Sequence, residues 1–417
     1  MNAPANFKGE AVQTIKTCRC CGSAELVSVF DLGQMPLSDG FVKHGTGKEP
    51  TYPLEVVMCK TCGLAQLRHT VAPEILFADD YPYFSSFTQT VVDNAGVNVA
   101  EAIERFNPPK DGLIIELASN DGYLLKHAAA KGFKTLGIDP AKGPVEAARK
   151  AGIDTIHAFF TEALAKQLAG EGKKADLIFG NNVLAHVADT GGFVRGIKAM
   201  LKPTGTCIIE APYLKDLIEH NEFDTIYHEH LCYLSVTALR ELFRRNGLAL
   251  VDVKWIPIHG GSIRMFIQHE DKPTDRLLSA LEDEKTLGLA GPEAFKAFEG
   301  RVNAMGKKLR DMLVELKAQG KKIAGYGAAA KGTILLNHFK IDDSLLMWVA
   351  DKNHHKQGLW IPGVKLEIVD PARIAADKPD YVVILPWNHK DEIMRQQAQI
   401  AEWGGKFIIP VPDPVII

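Results

Sequence analysis

The chain has 417 residues, more than a single hydrophobic core usually organises, so two or three domains are expected. With 46% hydrophobic and 24% charged residues and a formal net charge of -3, it has no overall electrostatic reason to bind nucleic acid or an anionic membrane. No apolar run approaches the roughly 18 residues of a membrane helix and residues 1–16 lack the apolar core of a secretory signal, so a cytoplasmic protein acting on a small molecule is expected.

Five of the seven cysteines lie in the first 62 residues: Cys18, Cys20, Cys21, Cys59 and Cys62. Residues 17–70 read as short strands and turns around "CRCCG" and "CKTCG". Each is a C-x-x-C-G knuckle, whose glycine lets backbone amides turn toward thiolate sulfur. Two knuckles supply the four soft ligands of a closed tetrahedral Zn²⁺ site, assigned to Cys18, Cys21, Cys59 and Cys62. Cys20 is left as the spare, because only the 18/21 pair has the two-residue gap. A closed site leaves no open coordination position, so this metal is structural. A pair of redox-active dithiols is the competing reading.

From about residue 110, apolar runs alternate with amphipathic segments, the pattern of βαβ units around a parallel sheet. Strands are expected in "GLIIELA", "KTLGIDP", "ADLIFGNN" and "GTCIIEAP". In "IIELASNDGYLL", Glu116 stands at a strand tip and Ala118, Asn120 and Gly122 in the turn after it. Asp139 closes the next strand, near the roughly 20-residue offset that puts a carboxylate on ribose hydroxyls. The pyrophosphate of NAD needs a more open glycine turn than Ala118 and Asn120 allow. S-adenosylmethionine carries no phosphate and tolerates a tighter turn among acids. Asn181 and Asn182 fall at the carboxyl end of the third strand, where open α/β sheets bind ligands, and Phe160 in "HAFF" is placed to wall the adenine.

"FDTIYHEHLCYLS" gathers Tyr227, His228, Glu229 and His230. A metal site is the first thought, but the stretch lacks the H-E-x-x-H spacing that sets two histidines on one helical face. In "IHGGSIR", His259, Ser262 and Arg264 either face a ligand approached by the paired glycines or form a β-bulge. Cys207 and Cys232 read as small core residues. A polar helical stretch, residues 273–320, reads as a linker helix or helical pair. The strand, glycine turn, helix and strand theme then restarts in "KKIAGYGAAAKGTILLNH", "LLMWVADKN", "PDYVVILPWNH" and "KFIIPVP". The helix N-terminus after "GYGAAAKG" offers amides to a diphosphate, with Lys331 adding charge. NAD is the rival ligand there, since Asp351 stands in the place of a ribose acid. The expected architecture is α/β: a zinc-binding module at 1–75, a Rossmann-like domain of the class I methyltransferase type at 76–272, and a helical linker with a second Rossmann-like domain at 273–417.

In combination, "CRCCG", "DLGQMPLSD", "CKTCGLAQL", "YPYFSS", "ELASNDGYLL", "YHEHLCYLS", "IHGGSIR", "GYGAAAKG" and "PWNH" resemble bacterial sugar C-methyltransferases, over nearly the whole chain. The resemblance implies methyl transfer from S-adenosylmethionine to a carbon, C-3′, beside the ketone of a nucleotide-linked keto-deoxysugar bound between the middle and C-terminal domains. It implies His230 as base with Tyr227, Glu229, His186 and Tyr83 around it. Tyr81, His259, Ser262, Arg264, Tyr326, Lys331 and Asn388 are the substrate-side candidates, and the chain is expected to act as a monomer. Carbon methylation at an sp³ centre needs an enolate, hence a base near neutral pKa and hydrogen-bond donors for the oxyanion. Glu229 is the expected orienter of His230, raising its pKa. Ala118 and His228 depart from the family pattern. An NAD-dependent sugar oxidoreductase and a non-catalytic zinc-ribbon binding protein are the rival functions.

Overall fold

A computed structural model describes residues 10–44, 49–76, 84–258 and 260–417. The N-terminal part contains β1 (Val12–Thr14), β2 (Leu26–Pro36), β3 (Thr51–Cys59), β4 (Ala65–Leu67) and β5 (His69–Val71). Its knuckles are backbone turns in which the Gly22 amide donates to the Cys18 carbonyl and the Gly63 amide to the Cys59 carbonyl, both at 2.9 Å. Gly22 and Gly63 have φ of 73° and 72°, a left-handed conformation that side chains with a Cβ resist.

The central part contributes β6 (Leu113–Leu117), β7 (Lys134–Asp139), β8 (Thr155–His157), β9 (Ala175–Asn181), β10 (Leu201–Pro212), β11 (Cys232–Tyr233), β12 (Ala249–Ile256) and β13 (Ser262–Gln268). Seven of these form one sheet in the order β12-β13-β10-β9-β6-β7-β8. The strands from β10 to β8 run parallel, and β13 lies antiparallel between β10 and β12. Helices cover both faces, which is why β9 is buried at every position but its last and reads as an unbroken apolar run. On one face, the helix Gln89–Phe106 lays Val91, Val92, Ala95, Val99 and Ala102 against the sheet. The chain leaves β6 toward β7 and returns to β9 on its other side, so the carboxyl ends of β6 and β9 flank a topological switch point, where such sheets bind ligands. β11 does not join this sheet. It extends the N-terminal one, in the order β11-β4-β3-β2.

The C-terminal part repeats the plan with β14 (Ile323–Tyr326), β15 (Val349–Ala350), β16 (Trp360–Ile361), β17 (Leu366–Val369), β18 (Tyr381–Ile384), β19 (Lys406–Ile409) and β20 (Val415–Ile416), ordered β16-β17-β15-β14-β18-β19-β20. Its switch point lies between β14 and β18. The stretch that reads as a linker is two helices, Asp275–Thr286 and Pro292–Ala318. The second has proline in its first turn and a buried stripe of Phe295, Phe298, Val302, Met305, Leu309, Leu313 and Leu316, at the spacing of one helical face. Phe298 meets Phe30 of β2 with ring centroids 5.1 Å apart, so this helix is core between the parts. One apolar cluster runs from Cys18 to Val411. Among the described residues, no helix is long and apolar enough to cross a membrane.

Candidate active site

Cys18, Cys21, Cys59 and Cys62 place one sulfur each within 4.8 Å of all the others. The Cys18–Cys62 and Cys21–Cys59 pairs stand at 3.6 and 3.5 Å, close to the roughly 3.8 Å that zinc–sulfur bonds of about 2.3 Å impose on a tetrahedron. The donor set therefore fits zinc. Cys20 is buried beside this set, its Sγ 4.0 Å from the Ala238 carbonyl oxygen and within interaction range of Cys62.

At the end of β6, Glu116 is fully buried, and neither carboxylate oxygen has a partner of hydrogen-bond geometry among the described residues. Burial, then the charges of Asp139 and Asp121, push its pKa well above the usual carboxylate range. The Tyr123 side chain and the Leu125 backbone offset part of this rise, and a buried acid in such company suits a polar or cationic group. The turn that follows holds Ala118, Asn120 and Gly122 at φ of 55°, 49° and 78°. Asp139 closes the turn from the next strand: its Oδ2 accepts the Asn120 amide at 2.9 Å and its Oδ1 the Ala141 amide at 2.7 Å. Asn181 ends β9 with a buried Oδ1 that has no partner, and Asn182 follows at φ of 52°. Phe160 does not join this group. It is core, edge-on to Phe193 with centroids 5.3 Å apart, whereas Phe159 beside it is half-buried.

The loop between β10 and β11 carries the reactive cluster. His230 Nδ1 lies 2.8 Å from the Thr225 carbonyl oxygen and Nε2 lies 2.9 Å from the Tyr227 hydroxyl. A carbonyl only accepts, so Nδ1 carries the proton of the neutral ring and Nε2 presents its lone pair to the Tyr227 O–H. Burial, with the charge of Lys331 adding to it, pulls the His230 pKa down to about 4 against the Thr225 carbonyl. His186 packs edge-on to this ring, centroids 4.8 Å apart, and burial lowers its pKa too. The Glu229 side chain does not orient His230; the Thr225 carbonyl does. Burial, then Asp39, raise the Glu229 pKa to about 8, toward the protonated form that can donate a hydrogen bond.

Across the cleft, Lys331 stands in the first turn of the helix Ala330–His338 with Nζ 4.2 Å from the centre of the Trp387 ring. The Trp387 indole donates to Asp224 Oδ2 at 2.8 Å, tying the turn after β18 to the loop that carries His230. Burial raises Asp224 to about 6 and Glu222 to about 8, and Lys331 opposes both shifts. Asn388 is half-buried beside Trp387, and Tyr326 ends β14 with its hydroxyl buried. Asp351 repeats the role of Asp139, accepting the Ala328 and Asn353 amides at 2.7 and 2.8 Å.

Two substrate candidates belong elsewhere. Arg264 is buried in β13 and spent on Glu210 at 2.7 Å and Glu101 at 2.8 Å. The Ser262 hydroxyl donates to the Ile258 carbonyl at 3.0 Å and closes its own loop. The glycines of that loop admit neighbouring acids rather than a ligand: a Cβ on Gly261 would overlap Asp216, and one on Gly260 would overlap Glu222. Tyr81, Tyr83 and His259 lie outside the described residues. The sequence reading missed Thr225, whose backbone does the work, and Asp224 and Trp387, although both stand inside quoted motifs.

Three family models match in succession: a zinc binding domain at 18–77, a methyltransferase domain at 94–253 and a C-methyltransferase C-terminal domain at 257–412. The chain is 33% identical to the C-methyltransferase NovU of Streptomyces niveus over 415 residues, 98% of each protein. It is 26% identical to a ubiquinone biosynthesis O-methyltransferase of Bartonella tribocorum over 161 residues, 34% of this chain and 63% of that one. Among solved structures, a Haloferax volcanii complex of the Trm112 activator with a methyltransferase is similar over 45% of this chain and 93% of that one, at 16% identity and a TM-score of 0.36. A magnesium protoporphyrin IX methyltransferase of Synechocystis with bound SAM is similar over 42% and 79%, at 14% identity and a TM-score of 0.32. End-to-end identity with NovU, and three models falling on the three parts of the fold, establish that the chain belongs to the C-methyltransferase family, as a methyltransferase with an N-terminal zinc-binding module.

Proposed function

We propose that the protein methylates C-3′, beside the ketone of a nucleotide-linked keto-deoxysugar, with S-adenosylmethionine as donor. The observation that carries the reading is the His230 ring itself: Nδ1–H held by a carbonyl and Nε2 facing a phenol, on a loop tied to the C-terminal part by Trp387 and Asp224. S-adenosylmethionine, when bound, supplies an electrophilic methyl on a cationic sulfur. Glu116, the 118–122 turn, Asp139 and Asn181 would hold it, and the paired acids Glu116 and Asp139 suit its positive charge.

The proton leaving the α carbon ends on His230 Nε2 once the substrate displaces the Tyr227 hydroxyl; the C–H electron pair becomes the C=C bond of the enolate and the carbonyl π pair moves onto oxygen. The Thr225 carbonyl shares the resulting imidazolium charge through Nδ1–H. Tyr227, displaced from Nε2, and the protonated Glu229 donate to the enolate oxygen, as charge that develops only in the reaction requires. Lys331 and the amides opening the Ala330–His338 helix suit a diphosphate, and Tyr326 and Asn388 flank that position at the switch point between β14 and β18. The substrate then spans from the C-terminal glycine turn to the catalytic loop.

Mass spectrometry of the protein incubated with S-adenosylmethionine and a panel of nucleotide-linked keto-deoxysugars tests the reading. The expected product gains a methyl that survives washing out of exchangeable protons. Without the donor, solvent deuterium should enter the sugar beside the ketone, and His230→Asn should abolish that exchange. Exchange that persists in His230→Asn, or a methyl found on oxygen, overturns the mechanism.

A further inference from the structure

The catalytic loop is built onto the metal-binding module. His228 is buried, and its Nε2 donates to the carbonyl oxygen of Tyr52 in β3 at 3.3 Å. Three residues on, the Leu67 amide of β4 donates to the Leu231 carbonyl at 2.9 Å. Cys232 and Tyr233 then pair with Gln66 and Ala65 as an antiparallel strand. Glu229 and His230 are therefore a two-residue span fastened at both ends to strands of the N-terminal sheet.

Those strands are fastened in turn to the metal ligands. β3 ends in Cys59. Gln66 is fully buried in β4; its Nε2 donates to Cys18 Sγ at 3.2 Å, and its Oε1 accepts the Arg19 amide at 3.0 Å. The Arg19 guanidinium donates to the Leu67 carbonyl at 2.6 Å, closing a ring of bonds around β4. A thiolate held by zinc is a stronger acceptor than a thiol, so Cys18, when ligating zinc, would hold the Gln66 amide and through it the strand that β11 pairs with.

We propose that the zinc-binding module positions the catalytic histidine, with His228 and Gln66 as positioning residues that link the metal ligands to His230. The proposal rests on His230 being the base, as read above. It goes beyond a metal that merely stabilises a separate domain: the sheet of this module carries the active-site loop.

The test uses the full zinc-loaded chain and the variants His228→Ala, His228→Gln and Gln66→Leu. Zinc content, by mass spectrometry of the metal, should match the parent chain in all of them. Hydrogen–deuterium exchange of peptides covering residues 224–234 should quicken in His228→Ala and Gln66→Leu by about tenfold, as expected for losing a buried hydrogen bond. In methyl transfer, kcat should fall roughly 100-fold, the scale of an ångström-sized misplacement, with the donor KM unchanged. His228→Gln, whose amide can donate to the same carbonyl, should recover most of both losses. Unchanged exchange in residues 224–234 with zinc retained overturns the proposal. So does chelated protein that exchanges faster only around the two knuckles. The exchange result decides it even where the sugar reading fails, since that failure would appear as absent turnover in the parent chain.

Discussion

Replacing Arg264 with methionine separates a structural from a ligand-binding role for the one arginine of "IHGGSIR". The side chain is 1% exposed, bonds Glu210 and Glu101, and fills the interior between β10, β13 and the helix Gln89–Phe106. Methionine keeps the volume but leaves Glu210, itself 2% exposed, with only the Asn94 and Asn98 amides at 3.0 and 2.8 Å. Breaking a buried pair in this way costs about 3–5 kcal/mol. The low end is expected, because burial already pushes the Glu210 pKa up and Arg264 is its main counterweight. Without the arginine, the carboxyl takes a proton in the folded state and escapes part of the penalty. The sign follows: its folded pKa then lies above the unfolded value, so the folded state binds more protons and the deficit shrinks as pH falls toward 5. Urea unfolding at pH 7 and pH 5, followed by circular dichroism, measures both effects, and Arg264→Met with Glu210→Gln should restore most of the loss at pH 7. A single variant of near-parental stability with a raised substrate KM would refute this and return Arg264 to the ligand.

The pH profile of kcat/KM should be bell-shaped, with the acid limb near pH 4, where His230 takes its proton, and the alkaline limb near pH 8, where Glu229 loses the one it donates. Glu229→Gln should remove the alkaline limb, and a profile flat to pH 9 in the parent chain would count against Glu229 as donor. Ala118→Gly should stabilise the protein by about 0.5 kcal/mol in urea unfolding, because the left-handed alanine costs about 1–2 kcal/mol and glycine returns about 0.4–1 kcal/mol through the unfolded chain. Cys20→Ser should retain zinc and Cys21→Ser should lose it, as read by metal analysis of the purified proteins. Loss of metal from Cys20→Ser would mean that the spare sulfur is a ligand.

The central strands were legible because helices bury both their faces, so β6, β7, β9 and β10 appear as apolar runs. The knuckles were legible because metal ligation fixes spacing. β11 was not: two residues, Cys232 and Tyr233, pair with a strand more than a hundred positions earlier, and no local pattern encodes that. Arg264 misled because a charge in a strand beside paired glycines reads as facing a ligand. Its burial shows only when Glu210 arrives from β10 and Glu101 and Asn94 from the helix Gln89–Phe106. Phe159 and Phe160 are adjacent and chemically alike, and which of them is core depends on how the segment meets Phe193. For His230, the residue type suggests a base, but its tautomer is set by a backbone carbonyl that any amino acid at 225 would supply.

The membership of β11 in the N-terminal sheet bears on how such chains exchange pieces. Recombination between homologues with a single crossover near residue 75 would graft a foreign β4 beside a native 228–233 segment and mismatch the two at the edge pairing of one sheet. A chimera that keeps its activity must inherit both stretches from the same parent, which makes the heritable unit discontinuous in the gene although it is continuous in space.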